Sequence, residues 1–343
     1  MRNTGFRNHQ SLTLSILGLS LACGIVAGDE PSGEEPVDLD PYYIVVTTRT
    51  PISPERSSPS VSFISLAEME NWQDRGLFDA LSRESGLVLA RNGSIGSAGS
   101  FFIRGTESRH STVLLDGRRL NPGLANQFDL ENLSLNNLES VQLMRGASSV
   151  NYGSSGIGGV VDMRTRSAFD AADIGRISAE FGSNNYRRGS AEFLYSQEAW
   201  AISFEASALS TDNERDNDEY SSVSLTQRLD YKLSDLLTLE FVGRYSDAEK
   251  ENPGAVTNPS TFAFGETENW LLSPGFRYAT DELTIHVFYS RSELVFEGVN
   301  DFGGAFAFKN TVDSDELSLQ VDISLGEDVL LTGGASYRSD GPR

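Results

Sequence analysis

The sequence predicts an α+β domain followed by an antiparallel transmembrane β-barrel, incomplete, with about nine strands present. Two patterns predict it. Segments of alternating polarity recur from about residue 174 to residue 339, the period of strands whose two faces meet different surroundings. The connections between them alternate between tight turns and long loops, as in outer-membrane barrels, whose long loops lie outside the cell.

The chain opens with Arg2 and Arg7, an apolar run over 12–22 and small residues over 22–28, the three-part layout of a secretory signal. The apolar run is too short to span a bilayer. Cleavage after Ala27 or Gly28 removes Cys23, the only cysteine, and with it any disulfide. Ser20-Leu21-Ala22-Cys23 alternatively resembles a lipoprotein processing site, which would keep Cys23 as a lipid-bearing terminus.

Residues 29–41 combine acid, proline and glycine with almost nothing apolar and cannot support a core, so they read as a linker. Tyr42-Tyr43-Ile44-Val45-Val46-Thr47-Thr48, bounded by Pro41 and Pro51, is β-branched and aromatic, hence a short extended segment. From 61 to about 166, strands are expected at 61–65, 87–91, 101–104, 113–116, 141–145 and 159–165, with helices at 66–72 and 77–82. These form a compact α+β domain.

Barrel strands are expected near 174–182, 186–196, 199–209, 221–232, 236–247, 268–280, 282–294, 314–325 and 328–339. One face carries Ile202, Phe204 and Ala206, then Leu237, Leu239 and Phe241; the other carries Ser203, Glu205 and Ser207, then Thr238, Glu240 and Arg244. Tight turns fall at Gln197-Glu198, Ser234-Asp235, Asp281 and residues 326–328, and long loops at 210–220, 248–267 and 295–313. Bacterial barrels close with an even count, so nine strands are expected to be part of a larger barrel. A soluble β-sandwich also alternates, but has less reason to keep one face so charged while placing tyrosines and tryptophans at strand ends.

The net charge of −22 excludes nucleic-acid binding, which needs clustered Lys and Arg. No catalytic constellation surrounds His9, His110 or His286, so no enzyme is expected. The glycines of 153–159 lack the Lys-Ser/Thr of a phosphate loop and are expected to allow tight turns and close contact of the α+β domain with the barrel wall.

Phe101-Phe102-Ile103-Arg104-Gly105, followed by Val113-Leu114-Leu115-Asp116-Gly117, resembles the central plug motif of TonB-dependent outer-membrane receptors, in the flavour of cobalamin and siderophore receptors. The run 138–161, with Arg145-Gly146 and Gly156-Ile157-Gly158-Gly159, is similar to the same family's plug. The resemblance covers nearly the whole chain: signal peptide 1–28, linker with TonB box 29–50, plug 51–168 and the N-terminal part of the barrel 169–343. Two positions depart from the pattern. Ala147 stands where the family usually has Pro, and the strands fall far short of the roughly 22 of plugged transporters.

The resemblance implies TonB-dependent uptake of a scarce nutrient such as cobalamin or a ferric siderophore, in the cell outer membrane, with outer-membrane lipid, a small-molecule ligand and a TonB-type energy-coupling protein as partners. The alternative is a non-transporting surface protein, adhesin or passive pore. Tyr43, Ile44, Val45, Val46 and Thr47 would form the TonB box, pairing by strand addition, or else an ordinary first strand. Arg104 and Arg145 would latch the plug to barrel carboxylates, a task suited to the planar guanidinium fork, or else pair locally. Arg91, Asn92 and Ser94 would meet ligand at the plug apex. The acidic loop over 211–220 offers Asp212, Asp216 and Asp218 as calcium ligands, or is simply a solvated loop; no other cofactor is implied.

Overall fold

In the computed structural model the described residues are 61–342, apart from 75, 92, 121–129, 131–132, 136, 147–155, 170–172, 302–303 and 326–328. The expected signal, linker and TonB box, together with Asn92, lie outside them.

The plug begins with β1 (Val61–Ser65), which runs directly into α1 (Leu66–Asn71). The switch is made by a capping box: Ser65 Oγ accepts from Glu68 N at 3.3 Å, and Glu68 Oε2 accepts from Ser65 N at 2.8 Å. After α2 (Leu77–Leu81), the hairpin of β2 (Leu87–Arg91) and β3 (Gly99–Ile103) forms its own two-stranded sheet. Then come β4 (Ser111–Leu115), β5 (Arg118–Arg119), β6 (Leu138–Arg145) and β7 (Gly159–Thr165). The main sheet has the order β1-β6-β7-β4-β5, with β4 and β7 parallel and the other pairs antiparallel. Val113, Leu115, Val141, Leu143, Val161 and Met163 bury one face of it in a single core with Leu77 and Leu81 of α2.

Nine further strands form one antiparallel sheet in which each pairs with its sequence neighbours. They are β8 (Ile174–Phe181), β9 (Arg187–Ser196), β10 (Trp200–Thr211), β11 (Tyr220–Lys232) and β12 (Leu237–Glu251). A two-residue pair, β13 (Gly254–Ala255) and β14 (Asn258–Pro259), decorates the next connection. The sheet resumes with β15 (Phe264–Ala279), β16 (Leu283–Asp301), β17 (Ala305–Leu325) and β18 (Val329–Pro342).

All nine expected strands are present, and the register places the two alternating sets on opposite faces. Tyr231, Leu239, Phe276, Val287, Leu319 and Ala335 form one continuous cross-strand row. On the other face Ser203, Glu205, Glu240, Arg244 and Ser273 are buried. Two plug-core neighbours, Val242 and Leu271, come from this face, so the plug packs against it.

One expectation is corrected. Residues 295–313 are not a long loop: β16 runs to Asp301 and β17 starts at Ala305. Gly298 pairs with Gly265 on one side and Phe308 on the other, and a Cβ on it would lie 2.2 Å from the Phe264 carbonyl and 3.0 Å from the Phe308 ring. The glycine lets the adjacent backbone approach closely, so the strand continues.

Candidate functional site: the plug apex cleft and the plug–wall clasp

Two arrangements join the plug to the wall. The first lies where chain reversal at Asp116 and Gly117, both at positive φ (50° and 78°), leads straight into β5, whose first residue is Arg118. Arg118 Nη2 lies 3.3 Å from Glu240 Oε2 of β12, Nε donates to Ser273 Oγ of β15 at 3.1 Å, and the guanidinium sits 4.8 Å from the centroid of Phe288. Burial pushes the Arg118 guanidinium below its ordinary value, opposed by the carboxylates of Glu240 and Asp116. Glu240 also accepts from Arg277 at 2.6 Å and contacts His286 Nε2 at 3.0 Å.

Three further contacts repeat the pattern. Asp116 lies 3.8 Å from Arg228 of β11, Arg166 donates to Glu192 of β9 at 2.8 Å, and Ser134 donates to Glu205 of β10 at 3.0 Å. The plug is therefore held on the charged face through ionic and polar contacts with five neighbouring strands.

Arg104 and Arg145, the residues expected to make this latch, are placed elsewhere. Arg145 donates to Glu84 at 2.7 Å and to Ser62 at 2.8 Å, both in the plug. Arg104 is exposed at φ 50°, with its guanidinium beside Gly146. The reason is one of register: β6 ends against β1 and α2, so a side chain at its last residue meets plug carboxylates first. The clasp residue was one turn further along the motif, at Arg118 after the Asp-Gly reversal. The expected glycine packing is internal too, since a Cβ on Gly158 would meet Thr106 Oγ1 at 2.2 Å and one on Gly159 would meet the Met144 carbonyl at 2.4 Å.

The second arrangement is a cleft of about 1230 Å³ between the β2–β3 apex loop and the far ends of the barrel strands. Arg91 and Ser94 both line it. Arg91 stacks 4.3 Å from the Phe78 ring centroid. Ser94 donates to Asp218 Oδ1 at 2.7 Å, and Asn213 Nδ2 donates to the Ile95 carbonyl at 3.1 Å, which ties the β10–β11 loop to the apex. Gly96, at φ 83°, lies flat against Tyr220; a Cβ there would stand 2.1 Å from the ring.

The acidic loop does not gather its carboxylates for calcium. Asp218 is buried and turned inward, accepting from Lys250 Nζ as well as Ser94, while Asp212 is exposed and accepts from Asn185. Asp216 is exposed. The loop is instead shaped by Asn213 and Asn217, both at φ 57°, and by Asn217 Nδ2 donating to the carbonyls of Asn252 and Ala263 at 2.9 and 3.0 Å. Among the described residues no three His, Cys, Asp or Glu side chains are grouped to hold a metal.

A folded α+β domain seated on the polar face of an antiparallel wall whose other face is apolar is the architecture of a plugged barrel. Residues 54–160 match the family model of the TonB-dependent Receptor Plug Domain, so this segment is similar to that domain. The solved structures agree. The siderophore receptor PiuA from Acinetobacter baumannii is 19% identical, with a TM-score of 0.64 over 82% of this chain and 45% of its own. FpvA of P. aeruginosa, solved with bound pyoverdine and iron, gives 12%, 0.74, 87% and 44%. The ferric-catecholate import receptor Fiu from E. coli K12 gives 16%, 0.69, 85% and 51%. The chain thus spans about half the length of the receptors it matches.

Proposed function

We propose that the protein takes up a scarce small-molecule nutrient across the outer membrane, driven by a TonB-type energy-coupling partner. One observation supports this above others: the plug is clasped to the wall by contacts that can be broken, Arg118 with Glu240 and Arg166 with Glu192, and a cleft lies open at the plug apex. A plug that never moved would be better anchored by apolar packing, because a buried ion pair adds little net stability over a hydrophobic equivalent. Ligand enters at the apex beside Arg91 and Ser94. The partner pairs with Tyr43, Ile44, Val45, Val46 and Thr47 by adding a strand, and force through that ladder draws the plug from the wall. Siderophores are what the matched receptors are named for; cobalamin remains within the same reading.

The test is uptake by the full-length receptor with Val45→Pro, which removes a backbone donor from the added strand. Surface binding should persist while energised uptake is lost. Uptake unchanged by the proline would replace this reading with a passive pore.

A further inference from the structure

Resting on the reading of the apex cleft as the ligand site, we infer that its ligand is uncharged, presenting aromatic or C–H-rich faces and a hydrogen-bonding periphery, and is not a polyanionic metal chelate.

Charge is the first ground. Among the described residues, the ionisable side chains lining the cleft are Arg91, Arg215 and Lys250 against Glu180, Glu214, Asp218 and Glu251, one negative charge in excess. Each cation is moreover committed to the protein. Lys250 is half-buried on Asp218, donating to its carbonyl at 2.7 Å as well as to its carboxylate. Arg215 donates to the Gly254 carbonyl at 2.8 Å and points to that of Pro253 at 3.4 Å. Arg91 is stacked on Phe78. A trianionic chelate entering this space would lose its hydration without gaining a fixed counter-charge, and would meet a field of its own sign.

The second ground is the rest of the lining. Phe296 and Phe308, on paired strands, stand with ring centroids 4.9 Å apart in a tilted arrangement, and Phe296 is 43% exposed. Tyr186 adds a third ring near the opposite rim. Asn184, Asn252 and Asn300 supply neutral amides between them. Exposed rings and amides recognise apolar faces and hydroxyl or carbonyl groups, interactions that do not depend on ligand charge.

The experiment measures binding to the full-length receptor of three neutral probes (a ferric trihydroxamate, a corrinoid and a maltooligosaccharide) against two anionic ones, ferric tris-catecholate and ferric citrate, at low and high salt, with energised uptake in parallel. A neutral probe should bind at least tenfold tighter than either anion, roughly independently of salt. Phe296→Ala with Phe308→Ala should weaken that binding about tenfold. Glu214→Lys with Glu251→Lys should raise affinity for the anionic probes and leave the neutral one unchanged. An anion bound as tightly as any neutral probe, and taken up, would overturn the inference while leaving the uptake function standing. Binding and uptake of none of the five would overturn both.

Discussion

Arg118 of the plug and Glu240 of the barrel wall meet at 3.3 Å with side chains only 2% and 3% exposed, although 122 residues separate them in sequence. The two ends of this pair are unequal. Glu240 keeps Arg277 and His286 if Arg118 is lost, whereas Arg118 without Glu240 retains only the Ser273 hydroxyl, the Asp116 carbonyl at 2.8 Å and the face of Phe288.

Glu240→Ala should therefore loosen the plug more than Arg118→Ala. Stranding a buried charge costs about 3–5 kcal/mol, and the double variant should be less damaging than the sum of the two. Urea titration of the full chain, read by proteolysis of the plug, measures this. Equal effects of the two single variants would mean that Arg277 and His286 contribute nothing to holding Glu240.

Gly96→Ala should distort the apex, because its Cβ would enter the Tyr220 ring and its backbone is in the left-handed region. A loss of about 1–3 kcal/mol is expected, together with weaker ligand binding. Adding Tyr220→Ala should restore part of the loss if steric overlap is the cause; no recovery would assign it all to the backbone conformation.

Asp162 gives a pH-dependent prediction for the plug. Burial raises the pKa of its carboxyl, against the pull of Arg164 at 2.7 Å. The folded carboxyl thus holds its proton to higher pH than the unfolded one. The stability it contributes is full below the ordinary carboxylate value and is lost as pH rises through the raised one. Asp162→Asn lacks this loss, so its stability relative to the parent should increase as pH rises above the ordinary carboxylate range. A relative stability independent of pH, measured by denaturant midpoints, would show that Arg164 fully compensates the burial.

The capping box is a local test. Ser65→Ala removes the acceptor for Glu68 N and should cost about 1 kcal/mol. Circular dichroism cannot isolate so short a helix, but hydrogen exchange at Glu68 can.

How much of this was legible in the sequence follows the range of the interactions concerned. Strand positions depend on a two-residue period, and the alternation of Leu239 with Glu240 fixed which of them faces the plug before any partner was known. The partner itself depends on how two sheets sit together, so proximity of Arg104 and Arg145 to glycines misled while Arg118 passed unnoticed. Its signal was present in Asp116-Gly117-Arg118, a tight reversal that opens the edge strand β5 with an arginine. Asp218 counted as one carboxylate among several in a loop, and only the fold turns it inward onto Lys250.

That inward turn makes Asp218 the residue on which the outer rim of the cleft depends. It accepts from Ser94 of the apex and from Lys250 of β12, and its carbonyl accepts from Asn213 at 2.7 Å, so one side chain and its peptide join apex, loop and wall. Asp218→Ala should leave the Lys250 ammonium with only a carbonyl, release Ser94, and weaken ligand binding about tenfold or more while speeding proteolysis at 212–219. Lys250→Met alone should be milder, since Asp218 keeps Ser94 and Lys250 carries an aliphatic stem that methionine replaces. If the loop's calcium chemistry mattered instead, chelation would mimic Asp218→Ala; with the carboxylates apart and Asp218 already paired, EDTA should change neither binding nor proteolysis. A chelator effect of the same size as the mutation would show that the loop closes around an ion when the barrel is whole.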